Sequence, residues 1–190
     1  MRALIHALAL GLIAIAGIGC SPMLYTHGVP NMAHVEPDLI RVGCPTKEGW
    51  DFLAHVEHIK TFVGLAFDDE CSKGYAEAIG IHVIRIPFEP GHVYGLAGGP
   101  TQDQLQELAA IFADPALRPL AYGCLHGQDR TGVATGVRRL ETGWTRAAAY
   151  AEMLAHHFHA SLVGLKRAWD AYRVQPATSV ATGMGNGWSP

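Results

Sequence analysis

Apolar positions along the chain follow two periods. Leu39-Ile40-Arg41-Val42 and Thr61 to Ala66 are short β-rich runs, and Ile81 to Ile86 is apolar enough to predict a buried strand. Leu120-Ala121-Tyr122 predicts a fourth strand. Between these runs the spacing becomes helical. Thr46 stands where it can cap a helix in which Trp50, Leu53 and Val56 share a face. A short helix is predicted over 71–79. Thr101-x-x-Gln104 is a capping box for a helix that buries Leu105, Leu108 and Phe112, with Pro115 and Pro119 bracketing its end. Val133, Val137 and Leu140 share a face of the next helix, which Gly143 stops. Helices are then predicted over 145–157 and 160–173. In the second of these Leu162, Leu165, Trp169 and Tyr172 are in phase, a core face rather than a cofactor box. Strands alternating with helices, then helices alone, predict an α/β fold. It is a single domain with a central, mostly parallel sheet of four to five strands flanked by helices.

The irregular stretches divide the chain. Residues 87–100 hold Pro87, Pro90, Pro100 and four Gly, too many breakers for a regular element, and a loop of that length is often functional. Asp68-Asp69-Glu70 reads as a solvated acidic turn. After Arg2, residues 3–19 are almost wholly Ala, Leu, Ile and Gly, the form of a secretory signal. The segment is near the ~17-residue lower limit for spanning a bilayer and has no basic cluster after it, which disfavours a transmembrane helix. Ala14-Ile15-Ala16 is one cleavage option. Gly17-Ile18-Gly19-Cys20 is another, similar to the lipobox of bacterial lipoproteins but with Gly17 where Leu is usual. The organisation expected is a signal over 1–20 with Cys20 lipidated, a linker or irregular entry over 21–37, the domain over 38–174 and a loose tail over 175–190. Such a protein is exported to the periplasm, or anchored to the membrane through its lipid alone.

Composition narrows the function. Of 190 residues 16% are charged and 49% hydrophobic, which excludes a mainly disordered chain. Fourteen basic against 17 acidic residues leave a net charge of −3, and no Lys/Arg block exceeds the pairs Arg138-Arg139 and Lys166-Arg167. That is no footprint for nucleic acid. Four cysteines, at 20, 44, 71 and 124, are too few for a disulfide scaffold and lack zinc spacing. Cys44 and Cys71 can pair in an oxidising compartment or be two small buried hydrophobes, and both readings stay open. His156 and His159 share a predicted helix face next to His157. They have no acidic or Cys partner at ligand spacing, so a packed or solvated helix end is expected and no metal.

The chemistry concentrates in Gly123-Cys124-Leu125-His126-Gly127-Gln128-Asp129-Arg130-Thr131-Gly132, between a predicted strand and a predicted helix. A Cys at a strand end and an Arg six residues on enclose a loop whose amides can converge on one point, backed by the positive end of a helix. Such a nest suits a phosphate dianion. Gly127 permits the tight turn, and Arg130 offers two parallel N–H donors to phosphate oxygens. The same field stabilises a thiolate at Cys124, held in line with phosphorus as a nucleophile.

Cys124 to Arg130 is the C-x5-R signature of the protein tyrosine phosphatase superfamily, and its C-x-H-G-x-D-R-T-G form resembles the small dual-specificity-type phosphatases of bacteria. Gly28-Val29-Pro30-Asn31 through Arg41-Val42-Gly43-Cys44-Pro45-Thr46 is similar to that group's entry segment. Trp144-Thr145 with Glu152-Met153 is similar too, so the resemblance covers roughly 28–173. It implies a phosphate monoester hydrolase in which Cys124 attacks phosphorus, Arg130 binds the phosphate and the transition state, and Thr131 assists hydrolysis of the phosphocysteine. Leu125, His126, Gly127, Gln128, Asp129 and Arg130 would contact the substrate. No metal or other cofactor is implied. Phosphotyrosine proteins, phosphoinositides and other small phosphate monoesters are the expected partners.

Two departures stand out. Gly123 occupies a position where many members carry a His that orders the loop and stabilises the thiolate. The 87–100 loop, which in many members supplies an Asp as general acid, contains none and offers Glu89 and His92. Asp129 is the other candidate, as in the similar myotubularin-type and lipid-phosphatase-type motifs with D-R. Like charge from phosphate and thiolate favours a protonated Asp129 able to donate, while Arg130 opposes this. The departures also admit a weak or inactive phosphate-binding module. An RNA triphosphatase with a similar C-x-H-G loop is opposed by the export signal and the absence of a basic surface.

Overall fold

A computed structural model describes residues 25–66, 71, 73–89 and 98–175. Cys20, the acidic turn at 68–70, His92 and the tail beyond 175 lie outside the described residues.

The sheet has five strands. In chain order these elements are β1 (Tyr25–Thr26), β2 (Val29–Pro30), β3 (Ala33–Glu36), β4 (Leu39–Val42), α1 (Lys47–His55), β5 (Thr61–Gly64), α2 (Lys73–Ala78) and β6 (His82–Arg85). They continue with α3 (Gln102–Ala113), a 3-10 turn at Pro115–Leu117, β7 (Leu120–Gly123), α4 (Asp129–Glu141), α5 (Arg146–Ala155) and α6 (Val163–Ala171). The order across the sheet is β3-β4-β7-β5-β6. The β4–β7, β7–β5 and β5–β6 pairs are parallel and β3 is antiparallel to β4, which is the mostly parallel sheet predicted.

Alternation along the strands builds a core on each face. Ile40, Val42, Phe62 and Ala121 pack with Trp50, Leu53 and Ala76 under α1 and α2. Leu39, Val63, Leu120 and Tyr122 pack with Phe112, Val133, Val137 and Trp169 under the other helices. The caps form as read: the Thr46 hydroxyl accepts from Gly49 N at 3.1 Å, and Thr101 and Gln104 complete a reciprocal box.

Three expectations need correction. The stretch 21–37 is not an irregular entry where it is described: it contains β1, β2 and the sheet-edge strand β3. Turn residues separate strands of two to four residues there, too short to show a period. Ile81 to Ile86 is not a buried strand but the opposite edge, with His82 and Arg85 exposed, because no strand among the described residues pairs beyond β6. Val56 leaves the apolar face of α1 and caps the helix, 60% exposed.

Cys44 and Cys71 form a disulfide, which leaves Cys124 as the free cysteine among the described residues. The similar positions Trp144 and Glu152 meet at one side chain. Arg139 grips both carboxylate oxygens of Glu152, at 2.7 and 2.8 Å, and lies over the Trp144 ring, tying α4 to α5.

Candidate active site

Val42, Gly64 and Gly123 lie in register at the C-terminal ends of three adjacent parallel strands. That end of an open parallel sheet is where such folds place their ligands. The chain leaves β7 at Cys124, crosses the sheet edge and enters α4 at Asp129, so the signature loop spans strand end and helix start as the sequence predicts.

The loop is held from beneath by its carbonyls. Leu125 O accepts from Cys44 N at 2.9 Å. Gly127 O accepts from Asn31 Nδ2 at 2.8 Å and from Arg41 Nη2 at 2.6 Å. A trans peptide points its N–H opposite its carbonyl, so these anchors direct the following amides, His126 and Gln128, away from the entry segment. Gly127 has φ +67°, and a Cβ there would come within 2.6 Å of Gly43 N, so only Gly fits this approach.

Cys124 is 3% exposed, and its Sγ accepts from the Thr131 hydroxyl at 3.1 Å. The Thr135 hydroxyl donates to Thr131 O at 2.8 Å. With that proton committed, the Tyr122 hydroxyl is the donor in its 2.7 Å contact with Thr135. Burial pushes the Tyr122 phenol up to about 12, so it remains a donor at any physiological pH.

A cavity of about 190 Å³ opens above the thiol. Cys124, Leu125, His126, Asp129 and Arg130 form its loop side, and Leu162 and Leu165 form an apolar wall at the start of α6. Gly127 and Gln128 are not at its surface; Gln128 is the residue before α4 and its carbonyl accepts from Gly132 N at 2.7 Å. Arg130 is 92% buried in the first turn of α4. Oδ1 of Asp129 accepts from both His159 N (2.8 Å) and His159 Nδ1 (3.0 Å). Glu89 is exposed and does not line the cavity. His156 and His159 do not share a helix face: α5 stops at Ala155, His156 caps it, and His159 reaches Asp129 instead.

The position before Cys124 has no room for a side chain. A Cβ on Gly123 would strike the Val42 carbonyl oxygen across the β4–β7 pair. Sequence reasoning missed two of the loop's supports, Asn31 and Arg41. Arg41 sits inside an apolar strand run, and a charge there is the one signal that could have drawn attention to it.

This fold is shared with solved structures. The core catalytic domain of PP-IP phosphatase SIW14 from S. cerevisiae, in complex with citrate, is 20% identical with a TM-score of 0.63, over 75% of this chain and 85% of that one. TpbA of P. aeruginosa is 21% identical with a TM-score of 0.61, over 80% of this chain and 92% of that one. PTPMT1 in complex with PI(5)P is 14% identical with a TM-score of 0.56, over 73% and 94%. The fold is that of these three proteins. No protein-family model matches the chain, and no curated protein matches it in sequence. In this fold the C-x5-R loop falls at the end of the central strand β7, with its Cys and Arg both lining the cavity.

Proposed function

We propose that the chain is a cysteine-dependent phosphatase of the tyrosine or dual-specificity type, hydrolysing phosphate monoesters. The observation that carries this reading is the cavity in which the Cys124 thiol, receiving a hydrogen bond from Thr131, lies with Arg130 and Asp129 around one space. Phosphate bound against the loop amides and Arg130 has its phosphorus before Sγ of Cys124. The thiolate forms an S–P bond as the P–O bond to the leaving group breaks. Asp129 gives that oxygen its proton, through Oδ2, which makes no hydrogen bond among the described residues. Water then attacks phosphorus, Asp129 takes back a proton, and Thr131 Oγ1 stabilises the departing sulfur.

Leu162 and Leu165, with Leu125 41% exposed at the rim, favour an aryl leaving group such as a phosphotyrosine side chain. TpbA has been crystallised with pTyr, which supports this choice, and PTPMT1 with PI(5)P, which keeps phosphoinositides as the alternative. The N-terminal pattern supports export, with lipidation at Cys20 as the proposed anchor.

The test is hydrolysis of an aryl phosphate with chelator present, by wild type and Cys124→Ser. Turnover that survives chelation and is lost in the variant, with ligand binding kept, supports the reading. Turnover persisting in Cys124→Ser overturns the nucleophile. No turnover in a wild type with reduced Cys124 favours a phosphate-binding module.

A further inference from the structure

The charge beneath the signature loop belongs to Arg41. It lies on β4, 0% exposed. Besides the Nη2 bond to Gly127 O, its Nη1 donates to Thr135 Oγ1 at 3.4 Å, and its Nε has no hydrogen-bond partner. Among the described residues no carboxylate hydrogen-bonds to it. Glu152 is the acid whose charge reaches it, and both Glu152 oxygens are already taken by Arg139. Burying a guanidinium without its own anion is strongly unfavourable. Burial weighs most on Arg41, and the side chains of Tyr122, Glu152 and Cys124, in that order, offset part of the cost.

The contacts also form one connected path. Arg41 bonds Thr135, Thr135 bonds the Thr131 carbonyl, and the Thr131 hydroxyl bonds Cys124 Sγ. Through Gly127 O the same guanidinium helps to set which way the Gln128 amide points. A side chain at position 123 can do none of this, since its Cβ would strike Val42 O.

We propose that Arg41 is a positioning residue of this site, which from inside the sheet pins the Gly127 carbonyl and supplies the fixed positive charge that the Cys124 thiolate and a bound phosphate answer. The proposal rests on the phosphatase reading for its purpose, but its test does not need turnover.

The experiment compares wild type, Arg41→Met and Arg41→Lys in the full chain, with folding checked by circular dichroism. Alkylation by iodoacetamide is read at the Cys124 peptide by mass, across pH, with and without inorganic phosphate. In Arg41→Met the pH of half-maximal alkylation is expected to rise by about one unit, and protection by phosphate to weaken about tenfold. A folded Met variant with the wild-type profile and protection overturns the proposal. Should the Met variant not fold, Arg41→Lys carries the test. It keeps the charge but not the fork, so its alkylation profile stays near wild type while kcat/KM falls about tenfold. A folded Lys variant with wild-type turnover overturns the positioning role. Wild type that shows no turnover while the Met variant shows these alkylation shifts would sink the phosphatase reading and leave the role of Arg41 standing.

Discussion

His159 closes on Asp129 from thirty positions along the chain, meeting Oδ1 with both its backbone N–H and its Nδ1. With the acid's proton placed on Oδ2, Oδ1 only accepts, so Nδ1 is the donor in this contact. One oxygen of Asp129 is thereby committed, and the other makes no hydrogen bond among the described residues. Asp129→Asn is expected to slow alkyl phosphates by about 10²–10³ and activated aryl phosphates much less. His159→Ala keeps the backbone bond and should cost less than Asp129→Asn on the same substrates. The kcat/KM ratio for the two substrate classes reads both, and equal slowing of both by Asp129→Asn removes it as the acid.

Thr131 Oγ1 lies 3.1 Å from Sγ of Cys124, and Thr131 does not line the cavity. Thr131→Ala should therefore slow breakdown of the phosphocysteine more than its formation. Rapid mixing with an aryl phosphate should show a burst of phenol followed by a steady rate about 10–100-fold below wild type. A variant with no burst and a slowed first phase would contradict this division of labour.

Restoring a His before the Cys should harm the protein. Gly123→His places its Cβ against the Val42 carbonyl oxygen in the middle of the sheet. Overpacking of this kind costs about 1–3 kcal/mol. A lowered denaturation midpoint with no gain in kcat is expected. A variant as stable as wild type and faster would show that the β4–β7 pair yields easily.

His156 makes stability fall on mild acidification. Burial, then the Arg41 charge, pushes it down to about 4, against an opposing pull from Glu152 and with smaller repulsion from His157 and Arg139. The unfolded His titrates near ~6.5, so between there and about 4 the unfolded chain holds the extra proton. Stability is full above that window and declines as pH falls through it, by about 1–2 kcal/mol after allowance for partial exposure. His156→Gln should flatten this limb in urea titrations at several pH values. Glu36 and Glu152 act lower. Burial raises each, but Arg138 with Arg118 and Arg139 with Arg41 respectively outweigh it and hold them below the usual carboxylate range. Their contribution is present above ~4.3 and is lost only as pH falls further.

The Cys44–Cys71 bridge closes a loop across a sequence separation of 27. Chain entropy assigns such a loop about 3–4 kcal/mol. The double variant Cys44→Ala/Cys71→Ala should lose that much in urea denaturation. Alkylation of the folded, unreduced protein should label neither position.

The signature loop was legible because its residues are neighbours in sequence. Cys124, Gly127 and Arg130 must lie on one short turn between a strand and a helix, so their spacing carries the information. The capped helices and the central strands were legible for the same reason, each signal lying within a few residues. The edge position of β6 was not, because Ile81 to Ile86 is as apolar as a central strand and only the missing neighbour exposes it. Nor were the strands of 25–36, which are stabilised by pairing and not by a repeating pattern.

By itself the chain's order of residues determined the α/β class, the C-x5-R loop between a strand and a helix, and the meeting of Cys124 with Arg130 at one cavity. Tertiary structure decided what surrounds that loop. It brought Arg41 and Asn31 under Gly127, set His159 against Asp129, raised Leu162 and Leu165 as a wall, and closed the space beside Gly123. The physical reason is range. Turns, caps and helix faces are set by contacts a few bonds away, whereas a buried cation finds its anion, and a carboxylate its clamp, only across segments that folding brings together.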